Sequence, residues 1–174
     1  MNKDVKFWLK NYSKNALSKI GIKQGMKVLD FGAREGYYTI PAAEIVELDG
    51  KVIAVDKNKK ALKDLKDKVS RYDLKNIEIV NNKGKLELKI ANNSIDFILL
   101  FDVFHELKNK DNLLKELHRI LKSKGIISIY DPHMRNKNIK NKVMNYNFYY
   151  TNDYKLQLLH NYKLTKGTVN NFKK

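Results

Sequence analysis

The chain contains no cysteine. Disulfides, thiolate metal sites and cysteine nucleophiles are excluded together. It also lacks any apolar run approaching the roughly 20 residues needed to cross a bilayer, and its start, Met-Asn-Lys-Asp-Val, has no signal-peptide core. A cytoplasmic protein with no membrane partner is expected. There is no internal repeat and no linker, and 174 residues suffice for one domain with a real core but not for a separate substrate domain. Arginine is scarce: Arg34, Arg71, Arg119 and Arg135 stand among 35 basic residues, against 19 acids, for a formal charge of +16. Such a charge attracts phosphate backbones. Here the lysines are scattered rather than gathered into a stripe and asparagine is abundant too, so a Lys/Asn compositional bias explains the excess better than a dedicated nucleic-acid site. Nucleic acid therefore stays possible as a partner without being favoured, and oligomeric state is left open.

What is present centres on residues 27–40, Lys-Val-Leu-Asp-Phe-Gly-Ala-Arg-Glu-Gly-Tyr-Tyr-Thr-Ile. Val28, Leu29 and Phe31 form a short strand-like run, Gly32 and Gly36 break it, and helix-like apolar spacing resumes at Tyr37. This is the opening of a nucleotide-binding βαβ unit. Gly32 permits a sharp bend, Gly36 lets the helix start close to the strand, and free N–H groups at the helix start are expected to face a ligand. Twenty positions after Gly36, the buried run Lys-Val-Ile-Ala-Val ends in Asp56. A carboxylate at the tip of a second strand accepts from ribose hydroxyls. The competing role for Asp56 is to cap the helix expected over 58–72.

The spacing is not that of a dinucleotide site, G-x-G-x-x-G. It reads Asp30-x-Gly32-x-x-x-Gly36, with Arg34 at the middle position, and resembles motif I of class I S-adenosylmethionine-dependent methyltransferases. Ser94-Ile-Asp-Phe97, Phe104-His-Glu-Leu107 and Leu117-His-Arg-Ile-Leu-Lys-Ser-Lys-Gly-Ile-Ile-Ser-Ile129 resemble further landmarks of that family, in its ubiquinone/menaquinone-biosynthesis-type small-molecule branch. The resemblance covers residues 26–130 well and the tail less well. It implies S-adenosylmethionine as cofactor and S-adenosylhomocysteine as product. Asp30, Phe31, Gly32, Ala33 and Gly36 of the loop, Asp56 and Lys57 after strand two, Asn82 (or Asn81) after strand three, and Phe101 after strand four are then the expected cofactor contacts.

The implied fold is α/β, Rossmann-like and doubly wound, with a mostly parallel seven-stranded sheet and a C-terminal antiparallel hairpin, in one domain. Residues 1–25 form a helical cover, with Phe7, Trp8 and Tyr12 as core or ligand-touching aromatics. Residues 26–130 form the cofactor core: helix 37–48, strands 51–56, 76–80, 93–100 and 126–130, and helices 58–72 and 111–121. Residues 131–174 begin with an exposed Lys/Asn-rich loop to 142, followed by a helix over 151–160 and a hairpin over 162–172.

Methyl transfer from a sulfonium is an in-line displacement that asks for alignment, water exclusion and, for oxygen or nitrogen acceptors, removal of a proton. In open α/β sheets ligands lie beyond the carboxyl ends of the strands, which draws attention to Phe101, Asp102, His105, Asp131 and His133. His105 is the candidate general base, because imidazole accepts protons near neutral pH. A loop-holding histidine is the competing role. Asp102 is its candidate orienter, or an acceptor for the cofactor's amino group, or a structural cap. His118 and His160 read as structural. No metal is expected, since Asp102, His105, Asp131 and His133 come from separate loops with no diagnostic spacing. No D/N-P-P-Y/F motif follows strand four, which disfavours exocyclic-amine acceptors, and the missing thiol disfavours C5-pyrimidine and arsenic methylation. The expected activity is methyl transfer to a small-molecule acceptor. RNA methylation on the basic surface and a cofactor-binding module without turnover are the alternatives, and a dinucleotide oxidoreductase is disfavoured by the motif spacing and the terminal hairpin.

Overall fold

The computed structural model describes the backbone of residues 3–146, 148–156 and 159–166, and the side chains of residues 12–135, 138–146, 148 and 149. The chain forms two compact units, Met1–Gly84 and Lys85–Lys174.

The first unit carries helix α1 (Lys3–Ile20), strand β1 (Lys27–Phe31), helix α2 (Thr39–Val46), strand β2 (Lys51–Asp56), helix α3 (Lys59–Arg71) and strand β3 (Ile77–Asn81). Its strands run parallel in the order β3-β2-β1. Parallel strands covered on both faces read as continuous apolar runs. Accordingly Val28, Leu29 and the stretch Val52 to Val55 are buried. The register sets Phe31 beside Val55 and Asp56 beside Asn81, so Asp56 and Asn81 meet at the carboxyl ends.

Helix α2 buries Thr39, Ala42, Ala43 and Val46 at helical spacing. Pro41 is its third residue, where the missing N–H has no intrahelical partner to lose. At its other end Asn76 Nδ2 donates to the carbonyls of Ala43 (2.8 Å) and Glu47 (2.7 Å), which satisfies the open end of the helix. Helix α3 is capped by Asn58, whose Oδ1 accepts from the N–H groups of Lys60 and Ala61. The capping role considered for Asp56 therefore belongs to Asn58. In α1, Ala16, Leu17 and Ile20 are buried and Lys14 pairs with Glu44 of α2 at 3.2 Å. Tyr12 is half exposed, and the side chains of Phe7 and Trp8 lie outside those described.

The second unit carries β4 (Ile95–Phe101), α4 (Lys110–Ile120), β5 (Leu121–Tyr130), α5 (Asn136–Met144), β6 (Phe148–Leu156) and β7 (Leu159–Lys166). The strand order is β4-β5-β7-β6; β4 and β5 are parallel, while β7 runs antiparallel to both β5 and β6. The described residues of the helix expected over 151–160 are thus strand. Phe148, Tyr149, Tyr150 and Thr151 favour a pleated surface, and pairing along β7 outweighs the polar residues that suggested a cap. The tail's helix is α5, in the segment expected to be loop, where Ile139 and Val143 bury one face at i, i+4. The second half of the hairpin expected over 162–172 lies outside the described residues.

Within the second unit, Arg119 of α4 organises residues 88–92. Its guanidinium donates to Glu116 through Nε (2.8 Å) and Nη2 (2.6 Å), and to the Leu88 carbonyl, the Ile90 carbonyl and Asn92 Oδ1. Glu116 also accepts from the Leu88 N–H at 2.7 Å. The guanidinium holds the Glu116 carboxyl below the usual carboxylate range.

Candidate functional site

In the first unit the polar ends of the strands meet the glycine loop. Gly32 (φ 89°), Arg34 (φ 48°) and Gly36 (φ 84°) are all left-handed, which explains why glycine suits each position. A Cβ on Gly36 would stand 2.3 Å from Leu65 Cδ1 of α3, so this glycine is required by packing as well as by φ. Arg34 holds a conformation that costs a non-glycine residue about 1 kcal/mol, and its N–H is anchored to Asp56 Oδ2 at 2.9 Å.

The loop's N–H groups do not all face outward as the sequence suggests. Those of Gly32 and Ala33 donate to the Val55 carbonyl, and that of Gly36 to the Ala33 carbonyl. The cradle is held by its own backbone before any ligand enters. Asp56, buried, accepts from Arg34 N–H with one oxygen and from Asn58 N–H (2.7 Å) with the other, and each oxygen keeps a second lone pair for a hydroxyl. Asp30 is buried and accepts the Thr39 hydroxyl at 2.6 Å. Burial raises its pKa to about 6, with the Thr39 hydrogen bond opposing and the Asp56 charge adding to the rise. Phe31 and Ala33 are buried, and Lys57 is exposed.

Asn81 and Asn82 divide their work. Asn82 Oδ1 accepts from the Gly84 N–H and shapes the turn after β3. Asn81 Nδ2 donates to the carbonyls of Asp56 and Lys57 (both 3.1 Å), which fixes its amide. Its Oδ1 is then buried with no hydrogen-bond partner among the described residues. An acceptor in that state suits an amino group brought by a ligand. The sequence offered Asn82 or Asn81; the open acceptor among the described residues is on Asn81.

In the second unit a separate cluster follows β4 and β5. Asp131, buried, uses Oδ2 to accept from the His105 backbone N–H (2.7 Å) and from His105 Nδ1 (2.9 Å), and uses Oδ1 to accept from the His133 N–H (3.0 Å). A carboxylate occupied as an acceptor in this way keeps the proton on Nδ1 and leaves Nε2 basic. The orienter of His105 is therefore Asp131; Asp102 Oδ1 is 3.9 Å away. Asp102 is left-handed (φ 51°) and donates its N–H to the Tyr130 carbonyl at 2.7 Å. Its Oδ1 also lies 3.5 Å from His133 Nε2, and the His105 and His133 ring centroids are 4.3 Å apart. Phe101 is buried, edge-on to Tyr130 at 6.1 Å. The signal for Asp131 was present as Asp-Pro-His, a side-chain turn in which an aspartate accepts from the N–H two residues on. His118 stacks edge-on to Phe148.

A strand, a left-handed glycine loop and an acid at the tip of the next strand define a nucleotide-type α/β protein, and comparison with known proteins narrows the class. The model of the methyltransferase domain family matches residues 22–172, and the chain belongs to that family. It is similar to demethylmenaquinone methyltransferases: 28% identical over 115 residues to that of Geobacillus stearothermophilus, covering 66% of this chain and 49% of the relative, and 26% identical over 132 residues to one from Listeria monocytogenes, covering 75% and 55%. The chain thus spans about half the length of these relatives. Among solved structures, an S-adenosylmethionine-dependent methyltransferase from Aquifex aeolicus matches with a TM-score of 0.80 at 23% identity, over 87% of this chain and 88% of that one. A cyclase matches with a TM-score of 0.70 at 13% identity, over 81% and 60%. Likeness at these identities shows the fold alone: α/β, Rossmann-like, with a mostly parallel sheet.

Proposed function

We propose that this protein is an S-adenosylmethionine-dependent methyltransferase that acts on a small-molecule acceptor of the quinol class, in the cytoplasm. The observation that carries the reading is the pair at neighbouring strand ends in the first unit: Asp56, buried with lone pairs for two hydroxyls, beside Asn81, whose buried oxygen has no partner. An adenosine presents that combination, two ribose hydroxyls and one amino group. The family match and the relatives named above support the reaction class and the acceptor class.

When bound, the cofactor supplies a methyl group on a positively charged sulfur. The chain's own residues do the rest. The loop from Asp30 to Gly36 is held in its bound shape by Val55 and Asp56, so little ordering is left to the ligand. Phe31, Ala33, Lys57, Asn82 and Phe101 complete the proposed contacts through backbone or adjoining surface. His105 receives the proton the acceptor gives up at Nε2, with Asp131 fixing the ring and Asp102 adding negative charge beside it. The same reading gives the chain one methyltransferase domain over 1–174, with a helical cover at 1–25, a cofactor core at 26–130, and the family's seven-stranded sheet ending in a C-terminal antiparallel hairpin.

Calorimetry with S-adenosylhomocysteine tests it. The parent should bind, and Asp56→Ala should lose about 2–3 kcal/mol, the scale of charge-assisted hydrogen bonds to two hydroxyls. No binding by the parent, or equal affinity in the variant, would sink the assignment.

A further inference from the structure

We propose that Asp102, His105 and His133 form a three-ligand site for one divalent transition-metal ion. Asp102 and His105 come from the segment after β4 and His133 from the turn after β5, and one ligand atom from each lies within 4.8 Å of the other two. Asp102 Oδ1 is 3.5 Å from His133 Nε2; His105 Nδ1, 3.9 Å from the same oxygen, bonds Asp131, so this ring offers Nε2 to an ion. Metal–ligand bonds of ~2.1 Å in a tetrahedron place neighbouring ligand atoms ~3.4 Å apart, so the Asp102–His133 pair is already at that spacing and His105, within 4.8 Å of both, must move closer to complete the shell.

Three further observations say that the cluster is built and is not a chance meeting of surface groups. First, Asp102 Oδ1 is buried and has no hydrogen-bond partner among the described residues, although two imidazoles face it. Neither makes a hydrogen bond to that oxygen, so a loose ion pair leaves it unsatisfied, whereas a cation shared by all three would satisfy it. Second, Asp102 is held in the left-handed region by its N–H bond to Tyr130, a strained backbone of the kind that persists where neighbouring structure enforces it. Third, Asp131 stands behind the site, bonded to a ring nitrogen of His105 and to the backbone N–H of both histidines. A carboxylate on one nitrogen of a ligating histidine fixes ring orientation and strengthens the other as a donor.

Two imidazoles and one carboxylate select zinc, cobalt or ferrous iron over magnesium and calcium, which require oxygen ligands throughout. Three protein ligands leave an open position for an anionic oxygen. That this oxygen belongs to the methyl acceptor rests on the function proposed above; metal binding itself does not. With an ion in place His105 would serve as a ligand, and the metal would acidify a bound hydroxyl so that its proton passes to solvent.

The test uses the tag-free full chain, stripped with chelator and titrated with cobalt(II) by visible absorption and with zinc by calorimetry. One ion per chain is expected, with a d–d spectrum of nitrogen and oxygen ligation. His133→Ala and Asp102→Asn should each weaken binding by about tenfold or more. His133 is largely exposed, so its replacement tests the site without threatening the fold. Absence of saturable binding, or equal affinity in parent and both variants, overturns the proposal. Titration of the same protein with S-adenosylhomocysteine reports separately on the methyltransferase reading, so either conclusion can fail while the other stands.

Discussion

The loop after β1 and the loop after β4 solve the same backbone problem differently. Each contains a non-glycine residue in the left-handed region, Arg34 in one and Asp102 in the other. Arg34 is anchored by a side chain, the Asp56 carboxylate, whereas Asp102 is anchored by a main-chain carbonyl, that of Tyr130. The first loop uses its N–H groups internally, so what it offers a ligand is shape and the remaining lone pairs of Asp56 and Asn81. The second keeps a buried carboxylate oxygen and two imidazoles uncommitted to one another. On the function proposed above, the first region is the cradle that holds a reagent and the second the cluster that handles a proton.

The contrast can be broken at several points. His105→Ala should leave S-adenosylhomocysteine affinity nearly intact while lowering single-turnover methylation of a quinol acceptor by roughly 10²–10⁴. If the variant instead loses the cofactor, the cluster is not separate from the cradle in function. Gly36→Ala attacks the other loop. A methyl 2.3 Å from Leu65, on a backbone at φ 84°, should cost about 2–4 kcal/mol of stability by denaturant titration; a loss under half a kilocalorie would show that α3 simply shifts aside.

Asp30 supplies the smallest effect and the one that depends on pH. Its folded pKa of about 6 lies above the ordinary 3.8, so the folded state holds this proton more tightly than the unfolded chain. The stabilisation is complete below pH 4, falls between 4 and 6, and is absent above 6, a span worth at most about 3 kcal/mol. Asp30→Asn keeps an acceptor for the Thr39 hydroxyl and cannot ionise. Parent and variant should match near pH 4, and the variant should be the more stable at pH 8. Parallel stability curves across that range would show that Asp30 is hydrated in the folded protein.

Much of this architecture is legible in the sequence, because buried parallel strands leave uninterrupted apolar runs: Val28-Leu29, Val52 to Val55 and Phe97 to Leu100 need no tertiary information to be found. The glycine loop is equally plain, since left-handed backbone leaves a mark in residue type. What stayed hidden depends on partners far away in the chain. Helix α5 shows only Ile139 and Val143 amid lysine and asparagine, and β6 becomes strand through pairing with β7. Asp131 reads as an acid after a strand until its hydrogen bonds to His105, 26 residues earlier, reveal it as the orienter. Asp56 reads as a cap on paper because it precedes the helix, and only the bonds of Asn58 Oδ1 to the Lys60 and Ala61 N–H groups show that the cap lies two residues on.

Arginine 119 carries a consequence for how this sequence can drift. The composition has moved so far toward lysine that four arginines remain, and at an exposed position such as Arg34 the exchange of one cation for the other is nearly neutral. At position 119 it is not. The guanidinium spreads its donors over five acceptors, two on Glu116 and three on residues 88–92, and an ammonium on a flexible stem reaches only some of them at once. Arg119→Lys would keep the charge and still release part of the network that holds residues 88–92.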